Sequence, residues 1–144
     1  MASTMELKVE VGDLRGKMNL TGKGHTPSTV SIDYPPPLGE DKGFTSLELL
    51  MVSLASCSSH TIKYLLNVSG VPLDDIKVTA TGQRRLDKHP TLLTKIELEF
   101  TLTGKGLENK AVEEAIRKAE ESMCPVWALL KGNVEIVTRF NILK

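Results

Sequence analysis

The sequence is poor in aromatics, poor in cysteine and without net charge, and each shortage excludes something. One Trp, two Tyr and three Phe do not make a stacking series for single-stranded nucleic acid. Eighteen basic residues balance 18 acidic ones, whereas a duplex binder gathers a basic excess on one face. No nucleic-acid partner is expected. The most apolar window, 47–66, carries Glu48, His60, Lys63 and several serines, too polar for a membrane span. No charged stretch followed by an apolar one opens the chain, so no signal peptide is expected. The expected compartment is the cytoplasm, where thiols stay reduced. With only two cysteines there, a structural disulfide is the least favoured reading. Cys57, His60 and Cys124 supply three zinc ligands without a closed-site spacing. No metal and no cofactor is expected.

What remains is ordinary globular composition, 40% hydrophobic and 25% charged, in a chain long enough for one domain over 1–144. In "MELKVEVGDLRGKMNLTG", Leu7, Val9 and Val11 alternate with Lys8 and Glu10. That is strand periodicity, and "GDLRG" predicts a hairpin tip carrying Arg15. "STVSIDY" reads as a third strand, which completes an N-terminal hairpin region over 1–34. "PPPLGEDKG" is a stiff crossing and polar loop within 35–44. Thr45 and Glu48 form a capping box that opens a helix over 45–68, ended by Gly70 and Pro72. Apolar on most faces, that helix reads as buried and central.

The remainder, 74–144, reads as a second hairpin, two helices and a closing strand. The hairpin strands are 75–86 and 92–103, and Ile96, Leu98, Phe100 and Leu102 share one face of the second. A helix over 108–122 carries Val112, Ala115, Ile116 and Ala119 at helical spacing, and "CPVWALLKG" starts a short third helix with proline at its first position. "NVEIVTRFNIL" closes the chain as a strand. The order β-β-β-α-β-β-α-α-β predicts an α+β fold with a largely antiparallel sheet on a long helix.

The chemistry rests with the two cysteines. Cys124 falls at a helix N-cap, where free N–H groups and the dipole favour an anion, so its pKa is expected to fall. It equally suits a residue that merely precedes a turn. Cys57 lies mid-helix among Leu, Met, Val and Ala, where burial alone silences a thiol. On a wheel of about 100° per residue, His60 and Ser53 share its face and can reach the sulfur. Glu48 lies about 180° away on that wheel and belongs to the cap. By its own helix, Cys57 reads as an inert core cysteine.

The combination of "SLELLMVSLASC" with "SMCPVWALL" far downstream resembles the OsmC/Ohr superfamily, the osmotically inducible and organic-hydroperoxide-resistance proteins. The resemblance covers the whole chain in element order, and its specific content lies in 45–66 and 122–131. It implies an intertwined homodimer, with antiparallel sheets wrapped around long central helices and active sites at the subunit interface. It implies a thiol-dependent peroxidase in which Cys57 attacks an organic hydroperoxide and Cys124 resolves the sulfenic acid as a disulfide. A thiol or lipoyl-type dithiol then resets the pair. Ohr-type members pair a hairpin arginine with a glutamate ten residues before the helix cysteine. Leu47 occupies that position here, so the chain is similar to the general OsmC-like branch, with Arg15 as the candidate cation. The alternative is a non-catalytic dimeric carrier for a small apolar or thiol-bearing ligand.

Overall fold

A computed structural model describes residues 3–13 and 17–143. Arg15, at the tip of the expected hairpin, lies outside the described residues. The chain divides into two compact units, Met1–Leu49 and Leu50–Lys144. The class is α+β, with two three-stranded sheets and one long helix.

In the first unit, β1 (Glu10–Asp13), β2 (Leu20–Lys23) and β3 (Thr29–Ile32) form an antiparallel meander. The Pro-rich loop after β3 folds back on the strand, and Phe44 bridges Ile32 in parallel register. Asp33 organises this loop. Its carboxylate is buried and accepts the N–H groups of Tyr34 (2.7 Å), Glu40 (3.2 Å) and Lys42 (3.1 Å). Burial works to raise its pKa, but these three donors and the Lys42 charge outweigh it and hold the carboxyl below its ordinary value. A Cβ at Gly43 would lie 2.3 Å from the Ser31 carbonyl oxygen, so only glycine permits the close return.

The capping box forms as the sequence predicts. The Thr45 N–H donates to Glu48 Oε1 (2.8 Å), and the Glu48 N–H donates to Thr45 Oγ1 (3.2 Å). From this cap α1 runs over Ser46–Val68 without interruption. It ends in a Schellman motif, with Val71 N–H bonded to Leu66 O, Gly70 N–H to Asn67 O, and Gly70 at φ +85°. In length and mean hydropathy alone α1 matches a membrane span, as the core helix of a folded domain also does.

In the second unit, β4 (Asp75–Arg84) and β5 (Leu93–Thr103) pair antiparallel, and β6 (Glu135–Leu143) joins β5 in parallel. The parallel strand departs from the antiparallel expectation. The chain between β5 and β6 is long enough to cross over, through α2 (Asn109–Lys118), a π turn (Ala119–Met123) and α3 (Pro125–Leu130). Ile96, Leu98, Phe100 and Leu102 of β5 are fully buried, as their alternation predicts. On the opposite face Arg139 pairs with Glu97 (2.9 Å) and Glu99 (3.1 Å). Leu54, Ile62 and Leu66 of α1, Val112 and Ile116 of α2, and Trp127 of α3 complete the core.

Burial of α1 differs from the expectation. Only the i, i+4 stripe Leu54, Ser58, Ile62 and Leu66 is buried, while Val52, Tyr64 and Val68 remain exposed. Gly82 of β4 lies close beneath the helix; a Cβ there would come within 2.8 Å of Met51 Sδ.

Candidate redox site

Cys57 occupies the middle of α1, next to the buried stripe, and is half-buried rather than sealed in the core. Its polar neighbours satisfy themselves on the helix. The buried Ser58 hydroxyl reaches Leu54 O (2.8 Å) and Ala55 O (3.1 Å), and Thr61 Oγ1 donates to Cys57 O (3.1 Å). Such back-bonding leaves no orphaned hydroxyl beside the thiol.

Cys124 is held differently. It lies between the π turn and α3 in extended conformation, φ −88° and ψ 108°, as the N-cap of α3 with Pro125 at the first helical position. Its N–H donates to Ala119 O (3.0 Å), and its carbonyl accepts the Ala128 N–H (3.0 Å). The side chain is 2% exposed.

Both are free thiols, and Cys57 lies near enough to act on the Cys124 thiol. Here the expectation for Cys124 is corrected. Its pKa is pushed up to about 11, first by burial, then by Cys57. The Val126 and Trp127 N–H groups do favour the anion, as the N-cap position predicts. No cap hydrogen bond closes on the sulfur, however, and desolvation outweighs the short helix. Cys124 therefore stays a neutral thiol at physiological pH.

The other candidate residues are distributed otherwise. His60 and Ser53 are exposed, and neither hydrogen-bonds the Cys57 sulfur among the described residues. Glu48 is the capping carboxylate and Leu47 is half-buried beside it. The activating cation expected at Arg15 lies outside the described residues. Among the described residues, no group of three or more His, Cys, Asp or Glu is arranged to hold a metal ion. Of the two thiols, Cys57 is the more accessible, and Cys124 is retained in its protonated form.

Sequence reasoning missed two features. The helix expected over 108–122 is α-helical only to Lys118 and then widens into the π turn that delivers Cys124. "AEESM" contains neither Gly nor Pro to signal the change. The buried Asp33 was also missed, although an aspartate just before a Pro-Pro-Pro-Leu-Gly run is a local turn signal.

The OsmC-like protein family matches residues 39–139, a span that contains both cysteines. Protein YhfA of Escherichia coli strain K12 is 28% identical over 103 residues, covering 72% of this chain and 76% of that protein. A hypothetical protein of Aquifex aeolicus superimposes with a TM-score of 0.83 at 28% identity, covering 97% of this chain and 98% of the other. A Legionella pneumophila protein, described as an organic hydroperoxide resistance protein OsmC, superimposes with a TM-score of 0.72 at 18% identity. It covers 97% of this chain and 99% of the other. At that identity the likeness carries the fold alone.

Proposed function

Because the chain belongs to the OsmC-like family, we propose that it is a thiol-dependent peroxidase acting on organic hydroperoxides through Cys57 and Cys124. The observation that carries this reading is the proximity of the two thiols, one from α1 and one from the junction before α3. Hydroperoxide resistance in the name of a fold neighbour supports the same direction.

The environments divide the roles. Cys57 is half-exposed and open to substrate, whereas Cys124 is buried and held as a thiol. The Cys57 thiolate attacks the distal oxygen of ROOH. The O–O bond breaks, RO⁻ leaves and takes up the proton the Cys57 thiol released on ionising, and Cys57 carries the transferred OH as a sulfenic acid. Cys124 S–H then condenses with Cys57 S–OH, forming the S–S bond and releasing water. A thiol or lipoyl-type dithiol reduces the disulfide by exchange and is itself oxidised to its disulfide. Leu, Met and Val around the helix cysteine favour alkyl hydroperoxides over hydrogen peroxide, because alkyl tails gain from burial.

The working form is a cytoplasmic homodimer. The apolar residues Val52, Tyr64 and Val68 that α1 leaves exposed suit the second copy, which also supplies charge near Cys57. The test is peroxide consumption with an alkyl hydroperoxide and a dithiol reductant. Turnover that disappears in Cys57→Ser, with a loss of two hydrogens in the oxidised wild type by mass spectrometry, is the expected result. Saturable ligand binding without turnover, unchanged in Cys57→Ser, would instead identify a carrier.

A further inference from the structure

The π turn before Cys124 is a feature for which the peroxidase scheme has no assigned role. We propose that this turn, clamped by Arg117, is a positioning device that aims Cys124 at Cys57 and sets the efficiency of disulfide closure. The proposal rests on the reading of Cys57 and Cys124 as a redox pair.

Three observations carry it. First, Cys124 is tied directly to the wide turn. Its N–H bonds the carbonyl five residues back, Ala119 O, at 3.0 Å. An α-helical continuation would place that carbonyl four residues back and rotate the cysteine about the helix axis. Ala119 is fully buried and anchors the acceptor end, while the Cys124 carbonyl is held by Ala128 N–H at 3.0 Å. The direction of the side chain is therefore set by one extra residue in one turn.

Second, the turn is held by contacts that reach across its start. Arg117, in the last turn of α2, is gripped by Glu114 on its own helix, with Nε donating to Oε2 at 3.0 Å. Its Nη1 donates to Glu121 in the π turn at 2.6 Å. The Ser122 hydroxyl donates back to Lys118 O at 3.3 Å, capping a carbonyl at the α-to-π junction. Third, nothing in the local sequence requires the turn, since "AEESM" has no Gly or Pro. The wide turn stands directly before Cys124, and such turns recur at functional sites.

In chemical terms the device acts on the second step only. Attack of Cys57 on the peroxide needs nothing from Cys124. Condensation of Cys57 S–OH with Cys124 S–H needs the two sulfurs aligned, and a displacement of about 1 Å can cost on the order of 100-fold in rate. Slow closure leaves the sulfenic acid open to a second peroxide, which carries it to the irreversible sulfinic acid.

The test uses three variants of the full chain. Deleting Ser122 removes the extra residue and returns the turn to α geometry. Glu121→Gln removes the ion pair without shortening the chain, and Arg117→Lys preserves the charge. Two readouts are followed: sulfenic acid at Cys57 trapped by a dione reagent after one equivalent of peroxide, and the equilibrium of the 57–124 disulfide with oxidised dithiothreitol. The second needs no peroxide, so it remains informative if the peroxidase reading fails. The deletion is expected to raise the yield of trapped sulfenic acid, which Cys124 no longer consumes quickly, and to lower disulfide closure by roughly 100-fold. Glu121→Gln should lower closure less, and Arg117→Lys should retain most of it. Full disulfide closure in a folded Ser122 deletion overturns the proposal, as does wild-type closure in Glu121→Gln should the deletion fail to fold. Absence of both trapped sulfenic acid and the 57–124 disulfide after peroxide in the wild type refutes the peroxidase reading alone.

Discussion

α1 and the segment 109–130 each carry one cysteine, and they hold it in opposite ways. α1 is a continuous helix of 23 residues, closed by a capping box at one end and a Schellman motif at the other. Cys57 takes whatever direction helical periodicity gives it, at the margin of the buried stripe. The segment 109–130 changes from α to π to extended and back to α within a few residues. Cys124 is aimed by that irregularity and sealed under 2% exposure. Regular structure presents an accessible thiol; irregular structure brings a buried partner to it. The difference also decides chemistry, because burial pushes the Cys124 pKa up to about 11 despite its place at a helix start.

The sharpest way to break this comparison is to exchange the roles. Cys57→Ser is expected to abolish peroxide consumption, whereas Cys124→Ser should still consume one equivalent to reach sulfenic acid and a second if it goes on to sulfinic acid. Stoichiometric titration with an alkyl hydroperoxide reads both, and equal losses in the two variants would make the thiols equivalent.

Next in size is the packing beneath Cys124. Trp127 is 1% exposed, and Trp127→Ala should cost about 3–5 kcal/mol in urea unfolding. A cost near that of a surface substitution would show that α3 is held by something other than its tryptophan.

The pH dependence sharpens the contrast further. The folded pKa of Cys124 is raised, so the folded state keeps a proton that the unfolded chain releases from 9.0 upward. The stability this contributes is complete below 9.0 and is lost as pH rises toward about 11. Unfolding midpoints of the wild type should fall across that window more steeply than those of Cys124→Ser. Parallel curves would place the thiol in a solvated setting.

The smallest effect belongs to the start of α1. Thr45→Ala removes one half of the capping box and should cost about 1 kcal/mol, with the reactivity of Cys57 unchanged. A loss of Cys57 reactivity larger than the loss of stability would link the cap to the site.

Much of this molecule was legible residue by residue. The alternation of Ile96, Leu98, Phe100 and Leu102 names the inner face of β5, and all four are fully buried. Thr45, Glu48 and Gly70 mark the ends of α1, because caps are satisfied by side chains and conformations within a few residues. The two cysteine motifs pointed to the family that the match over 39–139 establishes. The helix expected through 122 was legible only to Lys118, where apolar spacing still runs but the hydrogen bonds widen.

By itself, then, the sequence determined what short-range physics governs: which segments alternate, where helices start and stop, and which two residues carry a thiol. Only the tertiary structure decided that the thiols are neighbours, that β6 runs parallel to β5, and that Cys124 is a weak acid. The reason is the range of the forces. A helix terminus acts on Cys124 through two neighbouring N–H groups that any reader of "CPVW" can count. Desolvation, by contrast, depends on what the rest of the chain places around the sulfur, and here it is the larger of the two.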